Sequence, residues 1–119
     1  MSGRPTSDAD ARARLAGERA RTGSRLAVLR GDFDGVVEAS RDSNADDEHD
    51  PEGQTIAYER SQLATLIRQT EHHLRDIDAA LQRIEDGTYG ICVVCGGPIA
   101  AARLEVRPMA LTCVACACA

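Results

Sequence analysis

Four cysteines, Cys92, Cys95, Cys113 and Cys116, stand in the pattern C-x2-C-x17-C-x2-C. Each C-x-x-C makes a tight turn that aims two sulfurs at one point, and two such turns form a tetrahedral thiolate cage for one zinc ion. Gly96 and Gly97 follow the first pair and are expected to supply the positive backbone angles of such a knuckle. With four ligands of one type, no coordination position is left for water or substrate, so the expected role is folding rather than catalysis. Two other readings compete. A disulfide framework needs an oxidising compartment, and nothing at the N-terminus reads as an export signal, so reduced thiols in the cytoplasm are expected. A redox C-x-x-C needs a strand–helix setting that this pair lacks. Cys118 makes the tail read C-x-x-C-x-C and is an alternative to Cys116 as fourth ligand, although the spacer of Cys113 and Cys116 mirrors the first pair. From Cys92 onward there is no aromatic residue. So short a segment cannot bury enough apolar surface to fold alone, and the metal is expected to stand in for a core.

The rest of the chain must position that module. At 119 residues with two tyrosines, one phenylalanine and no tryptophan, a large globular core is excluded and an extended architecture is expected. The most apolar stretch, from Ile99, is broken by Arg103, Glu105 and Arg107, so no membrane-spanning run is expected. All 14 basic residues are arginine, and the net charge is −5. The distribution says more than the total. Residues 1–31 carry seven arginines against Asp8, Asp10 and Glu18, whereas residues 32–52 carry nine acids against Arg41. Only Arg103 and Arg107 lie in the cysteine module, too few for a patch that tracks a phosphate backbone. The N-terminal arginines are the one exception to a chain otherwise unsuited to DNA.

From Ile56 to Ile84 apolar residues recur at Ile56, Leu63, Ile67, Leu74, Ile77, Leu81 and Ile84, with polar members at Arg60 and Thr70. This alternation of three and four is a heptad seam. Asp50 is a good N-cap, Pro51 suits the first helical position and Gly87 a C-terminal stop, so the spacing predicts a helix over 51–86, on the order of 50 Å long at ~1.5 Å per residue. Glu71 and Arg75 are one turn apart and are expected to pair. The first half holds a weaker copy at Leu15, Thr22, Leu26, Leu29, Phe33 and Val36, with Arg19 and Ser40 at the remaining seam positions, and Ser7 with Asp10 resembles a capping box. Gly17, Gly23, Gly31 and Gly35 each cost about 1 kcal/mol in a helix interior, so this helix needs the second as partner. Two such helices joined by a polar linker near 43–49 should fold back antiparallel, with Thr22 and Thr70 sharing one polar layer. His72 and His73 are adjacent on a helix and cannot face one metal.

A helical hairpin with an acidic tip, followed by Tyr89-Gly90-Ile91-Cys92-x2-Cys95-x3-Ile99-x3-Arg103-Leu104-Glu105-x2-Pro108-x4-Cys113-x2-Cys116, resembles the DksA/TraR family of bacterial RNA polymerase-binding regulators. Val93 departs from the acidic residue or serine usual there. The resemblance implies that the hairpin enters the secondary channel of RNA polymerase and brings its tip near the catalytic magnesium. It would modulate transcription initiation without sequence-specific DNA contact, often together with guanosine tetraphosphate. The tip set is Asp46, Asp47, Asp50 and Glu52. Asp50-Pro51 matches the start of the family's tip, but Gly53 and Thr55 stand where a second aspartate and an alanine would follow. The sequence ends three residues after Cys116, so docking through the helix that commonly follows the finger is not expected.

The expected fold is mainly α. A flexible N-terminus (1–7) leads into an antiparallel two-helix coiled-coil hairpin (8–86, acidic tip near 43–53), followed by a four-cysteine zinc-finger module (87–119). The leading function is a cytoplasmic, zinc-containing regulator that binds RNA polymerase. The alternative is a structural module whose coiled coil binds another protein. An enzyme is not expected, since neither a nucleophile–base arrangement nor a phosphate-cradling loop is visible.

Overall fold

The computed structural model of the chain describes residues 8–42 and 51–117. Two long helices, α1 (Asp8–Asp42) and α2 (Pro51–Asp86), precede two short ones, α3 (Ala101–Val106) and α4 (Val114–Ala117). Asp8 and Asp10 lie in the first turn of α1 and Arg41 in its last, each favourable to the helix dipole. The proposed caps Ser7 and Asp50 lie outside the described residues. The stop of α2 is well defined. Gly87 takes φ 77°, and Thr88 N–H donates to the Arg83 carbonyl at 2.9 Å while Gly87 N–H donates to Ile84 at 3.3 Å. Those two bonds are the Schellman motif, which glycine closes without a Cβ clash. Among the described residues no helix is long and apolar enough to cross a membrane.

The chain divides into two compact units, Met1–Ala20 with Arg75–Ala119, and Arg21–Leu74. In the first, the helices run antiparallel: Arg12 pairs with Glu85 at 3.1 Å and, two turns on, Arg19 pairs with Asp78 at 2.5 Å. Ala11 and Leu15 of α1 meet Ile77, Ala80 and Ile84 of α2 in one buried cluster, which Tyr89 joins from beyond the helix end. The ion pairs are exposed and screened by water, so the buried cluster carries the stability and the charges fix register. Arg19, placed in the seam by its spacing, is exposed and turned outward to Asp78.

In the second unit Thr22, Leu26, Leu29 and Thr70 are buried, Phe33, Val36 and Ile67 are half-buried, and Arg60 is exposed. Two expectations fail here. Glu71 does not pair with Arg75 along its own helix; it accepts from Arg30 of α1 at 2.7 Å, because the antiparallel partner brings a guanidinium closer than one turn of α2 does. That pair also puts Thr70 beside the turn of α1 carrying Arg30, more than a turn from Thr22, so the threonines do not share a layer. Thr70 is satisfied within its helix, its hydroxyl donating to the Leu66 carbonyl at 2.7 Å.

A Cβ at Gly23 would meet nothing within 4 Å, and its φ is not positive. Gly23→Ala is therefore expected to stabilise the protein by about 0.5–1 kcal/mol, whereas Ile77→Ala, at a fully buried side chain, should destabilise it by about 2–5 kcal/mol. Urea unfolding followed by helical circular dichroism checks both, and a lower midpoint for Gly23→Ala would contradict the first.

Candidate metal centre

The first knuckle is built by backbone hydrogen bonds that close on the sulfurs. Cys92 N–H donates to the Gly97 carbonyl at 2.8 Å, and Gly96 N–H returns to the Cys92 carbonyl at 2.9 Å. An antiparallel bridge between Ile91 and Pro98 sits behind this turn, and Ile99 N–H donates to the Gly90 carbonyl at 2.8 Å. The Cys95 N–H points at Cys92 Sγ (3.5 Å) and the Gly97 N–H at Cys95 Sγ (3.4 Å). The two glycines have different jobs. Gly96 takes φ 74°, as expected for the turn, but Gly97 does not have a positive φ. A Cβ there would lie 3.4 Å from Cys95 Sγ, so Gly97 supplies room beside a sulfur rather than an unusual backbone angle. The second pair is set by α4: Cys113 precedes it, and Ala117 N–H donates to the Cys113 carbonyl at 2.9 Å, which brings Cys116 round by one turn.

The ligand atoms of Cys92, Cys95, Cys113 and Cys116 all lie within 4.8 Å of one another, and this is the one such His/Cys/Asp/Glu group among the described residues. Cys95 Sγ and Cys113 Sγ are 3.9 Å apart. A zinc tetrahedron with ~2.3 Å bonds has edges of roughly 3.8 Å, whereas a disulfide requires about 2.05 Å. The sulfurs fit the metal, and all four cysteines are free of disulfides. The electrostatics agree. Backbone N–H groups, first that of Cys95 and then that of Cys113, draw the Cys92 thiol down to about 6, while sharing hydrogens with neighbouring sulfurs, Cys113 first, pushes Cys116 up to about 12. Four sulfurs this close ionise together only with a cation among them. Cys118 lies outside the described residues. Among the described residues, the cysteine group does not include His72 or His73.

The module is not self-contained, contrary to the expectation that metal alone replaces a core. Leu104 and Met109 pack on the cluster of Ala11, Leu15, Ile77, Ala80 and Ile84, and the buried Tyr89 donates its hydroxyl to the Pro108 carbonyl at 2.8 Å. Burial raises the Tyr89 hydroxyl above its ordinary pKa, against the pull of Arg14 and Arg83, so it stays a donor. Arg103 Nε donates to the Thr112 carbonyl at 2.9 Å, and Arg14 of α1 donates to the Glu105 carbonyl. Three of the N-terminal arginines, Arg12, Arg14 and Arg19, are thus engaged within their own unit. The sequence signal for this was present: Ala11 and Leu15 stand one turn apart and extend the seam of α1 toward its start.

Residues 87–117 match the prokaryotic dksA/traR C4-type zinc finger. The RNA polymerase-binding transcription factor DksA of Caulobacter vibrioides is 58% identical over 49 residues, covering 41% of this chain and 34% of that one. Its Salmonella typhimurium counterpart is 34% identical over 89 residues, covering 74% of this chain and 58% of that one. In backbone, the transcription factor DksA2 of Pseudomonas aeruginosa superposes with a TM-score of 0.80 at 24% identity, over 92% of this chain and 79% of that one. The chain belongs to the DksA/TraR zinc-finger family. It spans less than two thirds of the length of these curated relatives. The matched finger is a C4-type zinc finger with one structural zinc ion as its cofactor, and Cys92, Cys95, Cys113 and Cys116 are positioned to bind one such ion. Of the tip set, Asp46, Asp47 and Asp50 lie outside the described residues, and Glu52 falls in the first turn of α2.

Since the folded pKa of Cys92, about 6, lies below its ordinary 9.0, its thiolate stabilises the metal-free fold above pH 9, and that contribution disappears as pH falls through 6. Cys116 does the opposite and keeps its proton at neutral pH. Zinc loading at pH 7.5 is expected to release protons, measured by calorimetry in buffers of different ionisation enthalpy, because the metal takes its cysteine ligands as thiolates; binding with no proton release would contradict a four-thiolate site. Chelation should expose Tyr89 and also lower the melting temperature of the helices. A hairpin melting unchanged without zinc would contradict the shared core.

Proposed function

We propose that the chain is a zinc-containing transcription regulator that binds bacterial RNA polymerase through its helical hairpin and modulates initiation, acting in the cytoplasm and performing no chemistry itself. The observation that carries this reading is the pairing of a DksA/TraR finger with a two-helix hairpin in the DksA2 backbone arrangement, which supports more than the finger match alone. A closed four-sulfur site offers no position for substrate, so activity belongs to the hairpin. In this reading the acidic segment holding Asp46, Asp47, Asp50 and Glu52 approaches the polymerase magnesium, where carboxylates alter the field that the metal and its ligands share. Few basic residues in the finger and engaged arginines in α1 support a protein partner over sequence-specific DNA contact. A second reading, a module whose coiled coil binds a different protein, draws support from the exposed Val28 and Tyr58 of the long helices.

Zinc-loaded protein is expected to co-purify with core polymerase at micromolar concentration and to change run-off transcription, with guanosine tetraphosphate present or absent as separate arms. No binding under those conditions would overturn the proposal and leave the second reading. Asp50→Asn is expected to bind normally yet lose the effect on promoter output; an unchanged effect would reduce Asp50 to a helix cap.

A further inference from the structure

The Arg21–Leu74 unit carries a groove that its described residues do not fill. On α1 its floor is Gly31, Gly35 and Ala39, four residues apart and therefore on one face; on α2 its wall includes Ile56, Leu63 and Leu66. The cavity measures about 560 Å³, within the range of built ligand sites. The glycines do not serve contact between α1 and α2, because a Cβ on Gly31 or Gly35 would meet nothing within 4 Å. Glycine weakens a helix interior, so two glycines facing open space leave a flat strip with no internal use. Apolar surface continues at Val28, which is 63% exposed, and at Leu66, which is 36% exposed.

We propose that this groove docks a helix of a partner protein that presents an apolar ridge flanked by lysine or arginine. A groove between two helices accepts the ridge of a third, and side chains no larger than a methyl on one wall let the backbones approach closely. Every backbone group in the groove walls is already committed to helix, so an extended strand would find no edge to pair with. The rim sets the charge. Asp32 and Glu59 line the groove and have no ion-pair partner among the described residues. Over residues 31–41 and 53–66, the four acids Asp32, Asp34, Glu38 and Glu59 stand against Arg41 and Arg60. A second copy of this chain would set the same acids against one another, which disfavours self-association there. The inference does not require the partner helix to belong to a polymerase, so a failed polymerase assay leaves it standing.

The test uses the full, zinc-loaded chain, isotope-labelled, and two synthetic amphipathic peptides with the same leucine ridge, one flanked by lysine and one by glutamate. The lysine peptide is expected to shift the amides of Gly31, Gly35 and Leu66 saturably. Gly35→Leu fills the groove without changing charge and should weaken binding at least about tenfold, while Gly23→Ala should leave it unchanged. Zinc content and circular dichroism verify the fold of Gly35→Leu, and Leu66→Gln serves as a second variant should the first fail to fold. Equal binding by wild type and both groove variants, equal binding of the glutamate peptide, or no saturable shift would overturn the proposal. So would a dimer at sedimentation equilibrium that Gly35→Leu dissolves, since the occupant would then be a second copy.

Discussion

Four sulfurs held within 4.8 Å of one another cannot all carry negative charge unless a cation sits among them. That constraint organises residues 87–117, where the bridge behind the first knuckle, the bare Cα of Gly97 and the single turn of α4 all serve to bring thiols together. Its reach extends further because the finger does not end at its ligands. Tyr89, Leu104 and Met109 tie it to the cluster formed by α1 and α2. Metal binding free energy is thereby passed into helix packing, and the two parts of the Met1–Ala20 and Arg75–Ala119 unit fold as one.

The long helices are unequal partners. α2 has an apolar stripe broken only at Arg60 and Thr70 and a glycine-closed end, whereas α1 carries glycines in its interior and draws its stability from the seam it presents to α2. Ion pairs between them choose among registers that the seam alone would leave close in energy. Arg19 illustrates the division of labour: it occupies a position that the heptad assigns to the interior, yet reaches out to Asp78, adding specificity where an apolar residue would add burial.

The helices and the metal ligands were legible because each rests on a short-range regularity. Spacing of three and four marked the body of α2, Pro51 and Gly87 marked its ends, and paired C-x-x-C turns gave the cage. What escaped were facts created by the fold-back. Glu71 has an obvious neighbour in Arg75 and a better one in Arg30, which no local pattern names. Thr22 and Thr70 look equivalent when counted from the middle of the linker, but register is decided by partners far away in sequence. Gly97 reads like Gly96 until the nearby sulfur is seen. The finger reads as coreless because its core residues, Ala11 and Leu15, lie at the opposite end of the chain.

That last contact has a temporal side. Arg14 and the carbonyl of Glu105 are 91 residues apart, and Arg12 and Glu85 are separated by 73. A ribosome delivers α1 first, glycine-weakened and without a partner, and its opening turns remain without their packing surface until nearly the whole polypeptide has emerged. The N-terminal segment must therefore be kept from proteases and from foreign apolar surfaces throughout synthesis. Zinc capture, which needs Cys113 and Cys116 outside the exit tunnel, becomes the last event that commits both ends of the chain to each other.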